Sequence, residues 1–441
     1  MKISAVKYTV LMWLSTFIIL IFVLVPFHAI LTVWLSSNFG HYTALRLWKE
    51  VLLAICVAGV FFLLITDHKV RSHTLSRRLV WVILAYMVLN VIWGVLAINQ
   101  HDVTAKAVGY GLILNLRFLV FFLVTWAVAL RTSRLRKNWQ KFVLWPAVIV
   151  VGFALIQEFF LTPRFLEHFG YSMYTILPFQ YVDNNPDLLR VQSTLRGANP
   201  LGAYLVLIIC VIIEQLINKR VTRHKRLYSV FAIASVVALY FTYSRSAWVG
   251  LIISLVAIVS LAARKEIKKL SLLAVGISLI IFGFLFVGFW QTSYFQTTVL
   301  HTSKDSKPHV TSNGARSQAI RSGIEDIKHQ PLGDGPGSAG PASVHNDKPA
   351  RIAENYFVQI GQEVGVAGLA LFLLINAGVG YLLWLRREDP LALSLFASLI
   401  GLTFINLLSH AWTDDTLAYV WWGMAGIAMV ADQRLKREDK A

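Results

Sequence analysis

The chain has 441 residues, 56% hydrophobic and 15% charged, with a mean hydropathy of +0.61. Soluble domains hold roughly 45–50% apolar residues, so a soluble globular protein is excluded; continuous rather than alternating apolar runs exclude a spanning β-barrel. The net charge of +18 forms no basic stripe interleaved with exposed aromatics, so nucleic acid is excluded as a partner.

In chain order, apolar runs long enough to cross a ~30 Å hydrocarbon core fall at 9–35, 45–66, 79–98, 108–130, 140–161, 199–218, 227–243, 247–263, 270–290, 364–385, 391–409 and 416–431. The expectation is an all-α, polytopic membrane protein of about twelve helices, with residues 1–441 forming a single integral membrane domain. The first run lacks a small-residue cleavage site and reads as an uncleaved signal anchor. The connections alternate in charge. "DHKVRSHTLSRR", "RTSRLRK", "NKRVTRHKR", "RKEIKK", "RRED" and the tail "QRLKREDK" carry the Lys and Arg, whereas "SSNFGHYTA", "NQHDVTAKA" and "SHAWTDD" carry almost none. Under the positive-inside rule both termini are cytoplasmic, and the net charge is mostly a topology signal with some attraction to anionic membrane lipids. Cys56 and Cys210 both fall inside runs, which excludes a disulfide framework and a cysteine metal site.

Two outward segments, 162–198 and 291–363, are longer than the rest. In the second, "GARSQAIRSGIEDIKHQ" spaces Arg316, Ile320, Ile324 and Ile327 along one helical face, expected to rest on the bundle and carry Arg316 inward. The turn "PLGDGPGS" then ends that helix.

Three arginines converge on the outward side. Arg196 in "STLRGANPLGAYL" precedes a span whose expected N-cap is Asn199, with Pro200 at the first helical position. Arginine beside the free N–H groups of a helix start makes an anion site suited to phosphate or diphosphate. Arg245 lies in "TYSRSAWVG", between two uncharged runs, where Tyr240, Tyr243 and Trp248 would otherwise read as an interfacial belt. Arg316 comes from the long loop. Arg117 interrupts "LILNLRFLVFFLV" near mid-span and is expected to pair inside the bundle, as a structural partner or a secondary substrate contact. Glu158 lies near the outer end of its span, and "TDD" at 413–415 reads as a solvated turn. None of the histidines has metal-ligand spacing, and no Walker, GxSxG or acidic nucleotide-metal motif is present. The chemistry expected is therefore driven by arginine and a general base, without cofactor, nucleotide or metal.

The segments "STLRGANPLGAYL", "TYSRSAWVG", "ARSQAI…PLGDGPGS" and "ENYFVQIGQEVGVAGL", in that order, resemble the O-antigen ligase and O-antigen polymerase superfamily of bacterial membrane glycosyltransferases. The resemblance covers about 190–370, and the opening "PFHAILTVWL…LRLWKEVLL" is also similar. It implies a GT-C-like fold in the bacterial cytoplasmic membrane and a role in surface polysaccharide biosynthesis. A polyprenyl-diphosphate-linked glycan would be moved to an acceptor hydroxyl of a glycan, lipid or protein on the outer side. By the same resemblance, Arg196 and Arg245 would hold the diphosphate and Arg316 would assist, with Asn199 and Asn355 beside them. Ligases of the family carry His-Asn where this chain has Glu354-Asn355, which weakens a lipid A-core ligase reading and leaves polymerase, or another ligase subgroup, open. Glu354 becomes the expected proton acceptor, with His345 upstream in "ASVHNDKPA" as the alternative. The competing readings are a lipid-linked glycan transporter or flippase, against which stand the absent inverted repeat and the clustering of charges at one face, and a glycan-binding scaffold.

Overall fold

The computed structural model describes residues 5–182, 185–217, 225–262 and 312–430. The span expected at 270–290 and the first part of the 291–363 segment lie outside these residues.

α1 (Ala5–Leu24) continues through a 3₁₀ turn at Val25–Phe27 into α2 (His28–Phe39), so the first expected span is one 35-residue helical run, broken where Pro26 has no N–H to give. α3 (Tyr42–Arg46), α4 (Trp48–Thr66), α5 (His68–Leu75), α6 (Arg78–Asn99), α7 (Ala105–Ala129) and α8 (Arg134–Phe160) follow. A small antiparallel hairpin, β1 (Gln180–Val182) and β2 (Asn185–Arg190), sets Gln180 opposite Arg190. Then come α9 (Ala198–Ile217), α10 (Lys225–Phe241), α11 (Arg245–Ala262), α12 (Ser312–His329), α13 (Tyr356–Trp384), α14 (Pro390–Asn406) and α15 (Asp415–Ala428).

The protein is all-helical apart from that hairpin. Among the described residues, seven helical runs are long and apolar enough to cross a membrane: Ala5–Phe39, Trp48–Thr66, Arg78–Asn99, Ala105–Ala129, Arg134–Phe160, Ala198–Ile217 and Tyr356–Trp384. α10, α11, α14 and α15, with 17, 18, 17 and 14 residues, are at or below the length a span needs. Among the described residues the count of about twelve is therefore not confirmed.

Burial sorts the helices into two layers. Every residue of α15 is buried, as are most of α7 and α9, whereas α4, α6, α8, α10 and α13 turn Phe61, Trp81, Trp145, Ile233 and Leu374 outward. A bundle apolar on its outside as well as inside is built for lipid. α15 meets α7 where Gly423 and Gly426 lie on Phe121, Phe122 and Thr125, and α11 meets α14 where Gly250 lies on Gly401. Small residues let these backbones approach closely.

The glycine-rich turn docks on α13 at a break in that helix, where Gly365 has φ +67°. Asp334 and Gly335 donate their N–H groups to the carbonyls of Gln362 and Glu363 (2.9 and 2.8 Å), and Val366 N–H reaches Pro331 O (2.9 Å). Backbone groups freed by the kink are thus paired rather than left in an apolar surround. α12 lies on the same helix with a face that differs from the expected one. Gly323 is buried against Val358 and Gln362, and Ile327 packs on Gly361, while Ile324 is 42% exposed. At about 100° per residue, Gly323 is closer than Ile324 to the azimuth shared by Arg316, Ile320 and Ile327.

Candidate active site

The N-terminal end of α9 and the connection between α14 and α15 form the floor of a recess at one end of the bundle. The connection is held rigidly. Asn406 Oδ1 accepts from Trp412 N–H (3.1 Å), Leu407 O accepts from Asn355 Nδ2 (2.9 Å), and Ser409 O accepts from Tyr356 N–H (3.2 Å). Asp414 closes it as the N-cap of α15, accepting from Leu417 N–H at 3.1 Å. Arg196, in the coil before α9, points Nε at Asp414 Oδ2 from 3.7 Å, too long for a hydrogen bond. Its side chain keeps 30% exposure. A cavity of about 210 Å³ lies against Arg196, Asn199, Ser409, His410 and Asp414. Burial raises the Asp414 carboxyl, Arg196 opposes this, and adjacent Asp415 adds to it. Burial and, next, Arg196 push the His410 imidazole down from its ordinary 6.5 to about 4, with Glu354 opposing and Arg316 reinforcing. These charges therefore share one neighbourhood.

A second cavity, of about 330 Å³, shares Arg196 and Gln180 with the first and is lined also by His28, Tyr42, Arg46 and Asp415. Beneath it lies a buried charge cluster. Arg117 pairs with Asp415, reaches Glu50 Oε1 at 3.4 Å and donates to Thr413 O at 2.6 Å. Lys49 lies 3.1 Å from Glu50, 3.5 Å from Asp415 and 3.2 Å from His28 Nε2. Arg117 is the middle residue of α7, about 18 Å of helix rise from Ala105, so polar groups extend halfway down the helix. Arg46 lies above the cluster, 5.9 Å from the Tyr110 ring centre, and among the described residues its guanidinium has no acidic partner.

The expected residues fall into three groups. Arg196, Arg316 and Glu354 come together around His410. Arg316 Nε bonds Glu354 Oε2 at 2.5 Å, and Glu354, 44% exposed in its side chain, takes a left-handed backbone with φ +49°. Arg245 opens α11 after Tyr243 turns the chain at φ +48°, and neighbouring Ser244 and Ala247 pack on Gly202 in α9, beside the Arg196 segment. Arg190 ties the same two segments, donating to Thr242 O at 3.0 Å and Asn199 Oδ1 at 2.6 Å.

Other expectations are corrected. α9 begins at Ala198, and the Asn199 oxygen serves Arg190 rather than a cap. Asn355 is the N-cap of α13, its oxygen accepting from the N–H groups of Phe357 and Val358 (both 3.0 Å). His345 lines neither cavity and stacks on Tyr110, with centroids 4.2 Å apart. The "TDD" turn is not solvated, because Thr413, Asp414 and Asp415 are all buried. Arg117 does pair inside the bundle. His28, Lys49, Arg190 and His410 were not singled out from sequence. Charges at the start of apolar runs, as in "WKEV" and "TDDT", were the available signal, since mid-span Arg117 needs a buried acid.

An all-helical membrane bundle with an arginine-lined recess at one end is the class of protein these observations define. Residues 230–373 match the family described as O-antigen ligase, and this match supports a likeness to the O-antigen ligase and O-antigen polymerase superfamily and a link to surface polysaccharide biosynthesis. Arg245, Arg316, Glu354 and Asn355 lie in the matched segment; Arg196 and Arg117 precede it. Among curated proteins, none matches this chain.

Proposed function

We propose that the protein transfers a polyprenyl-diphosphate-linked glycan to an acceptor hydroxyl on the outer side of the bacterial cytoplasmic membrane. The observation that carries this reading is the shared position of Arg196 on two cavities, with Arg46 across one and His410 in the other. Cations held in a partly closed recess stabilise the charge that grows on a departing diphosphate. Arg196 and Arg245 are the proposed diphosphate ligands, and Arg316, paired with Glu354, holds the loop over them. The basic connections, on this reading, face the cytoplasm with both termini, and the chain is a single membrane domain capped by the 291–363 segment. The arginines supply the electrostatic assistance, so transfer is proposed to proceed without a metal ion.

Purified protein in liposomes tests this. Given the lipid-linked donor and an acceptor glycan or glycolipid, it is expected to form product, and at an equal rate in excess EDTA. Absence of product with every acceptor contradicts the reading; loss on chelation with recovery in Mg²⁺ contradicts the metal-free part. Surface glycans of a deletion strain then separate the subclasses: single repeat units mean a polymerase was lost, full chains left on the carrier mean a ligase.

A further inference from the structure

A hydroxyl attacking the anomeric carbon must lose its proton. Glu354 stands where the superfamily's ligases place histidine, but here its carboxylate is engaged by Arg316 at 2.5 Å. His410 is differently placed. It lines the cavity that holds Arg196, and among the described residues its ring nitrogens make no hydrogen bond to protein. The loop beneath it is pinned through Asn406, Leu407, Ser409 and Thr413, whose hydroxyl donates to His410 O at 2.7 Å. A polar ring fixed in a pocket and left without a partner is arranged for a group that arrives with the substrate.

We propose that His410 is the residue that accepts the proton of the acceptor hydroxyl, with Glu354 serving to position Arg316. This rests on the glycan-transfer reading above. In the step, the acceptor oxygen bonds the anomeric carbon as the bond from that carbon to the diphosphate oxygen breaks. The electron pair of the broken bond leaves with the polyprenyl diphosphate, beside Arg196. The acceptor proton passes to a ring nitrogen of His410 and is then released to water. Arg196, Arg316, Glu354 and Asp414 are the charged groups facing the ring, from the α9, α12, α13 and α15 sides. With a pKa near 4 in the free protein, the ring is neutral and able to accept at physiological pH. It becomes protonated, and unable to accept, as the pH falls toward 4. A bound diphosphate, being anionic, raises that value, so the acid limb of kcat lies at higher pH than that of kcat/KM.

The experiment compares wild type with His410→Gln, His410→Ala and Glu354→Gln in liposomes, measuring donor binding and transfer from neutral pH down toward 4. Both His410 variants are expected to bind donor as wild type does yet transfer about 10²–10⁴-fold more slowly, with the acid limb abolished. Added imidazole should restore part of the rate to His410→Ala alone, whereas Glu354→Gln keeps its acid limb. His410 variants that transfer at the wild-type rate overturn this inference alone. So does a slow His410→Ala that has also lost donor binding and is not rescued by imidazole. A wild-type protein that binds no donor overturns the glycan-transfer reading as well.

Discussion

At the end of the bundle where α4 and α7 finish, Arg131 lies 2.6 Å from Asp67, Arg136 pairs with Asp389, and Arg386 donates to Ala428 O at 2.7 Å. At the opposite end Arg46 has no acid among the described residues, Arg196 stands 3.7 Å from its nearest one, and both face cavities. There Lys49 and Arg117 share Glu50 and Asp415, and Arg196 has Asp414 at long range. The same side chain is thus used in two ways. Closed against a nearby carboxylate it fixes loops between helices; left open at a recess it holds positive charge ready for an anion that arrives from outside. Asp67 shows the closed use: burial works to raise its carboxyl, but the Arg131 contact and the N–H groups of Val70 and Lys69 outweigh this and hold it below its usual value.

Substitutions at the two ends should separate these uses. The largest effect is expected for Arg117→Ala, which leaves Glu50 and Asp415 in the interior with Lys49 as their one remaining close cation among the described residues and should cost about 3–5 kcal/mol of stability, read as a lower unfolding temperature in detergent. An unchanged unfolding temperature would mean that water reaches the cluster freely. Next, Arg196→Ala should leave unfolding nearly unchanged, because its pairing is long and half-open, yet cut transfer by about 10²–10³-fold. Lysine there should rescue poorly if contacts to the diphosphate are bidentate. The smallest functional effect belongs to Arg136→Ala at the closed end. It should cost about 1–3 kcal/mol by leaving Asp389 uncompensated, while transfer per folded molecule stays at the wild-type level. A transfer defect there as deep as that of Arg196→Ala would erase the distinction between the ends.

Much of this contrast was legible in the sequence. Continuous apolar runs marked the helices because lipid rewards apolar side chains on every face, and the bias of Lys and Arg among connections marked the two ends. Arg196, Arg245 and Arg316 stood out by their motifs beside the apolar runs rather than by rarity, since Arg164, Arg190, Arg321 and Arg351 lie in the two long segments as well. The buried cluster did not, because its members come from four distant segments and each reads locally as something ordinary. Lys49 and Glu50 look like a charged start to α4, Asp414 and Asp415 like a turn, and His28 like a residue of the first long run. Only the packing of α15 against α7 brings Asp415 to Arg117. His410 was hidden for a similar reason: its meaning depends on Arg196, more than two hundred residues earlier, and on α13 pinning the loop beneath it. The face of α12 was misjudged because a glycine, Gly323, makes the close contact that a bulky apolar residue was expected to make.

The central claim, that the open end holds a lipid diphosphate, is tested most directly by binding. Polyprenyl diphosphate, added to protein in nanodiscs, should be bound by wild type and by Arg136→Ala alike and lost in Arg196→Ala, with salt weakening the interaction. Equal binding by Arg196→Ala and wild type, or loss confined to Arg136→Ala, would contradict it.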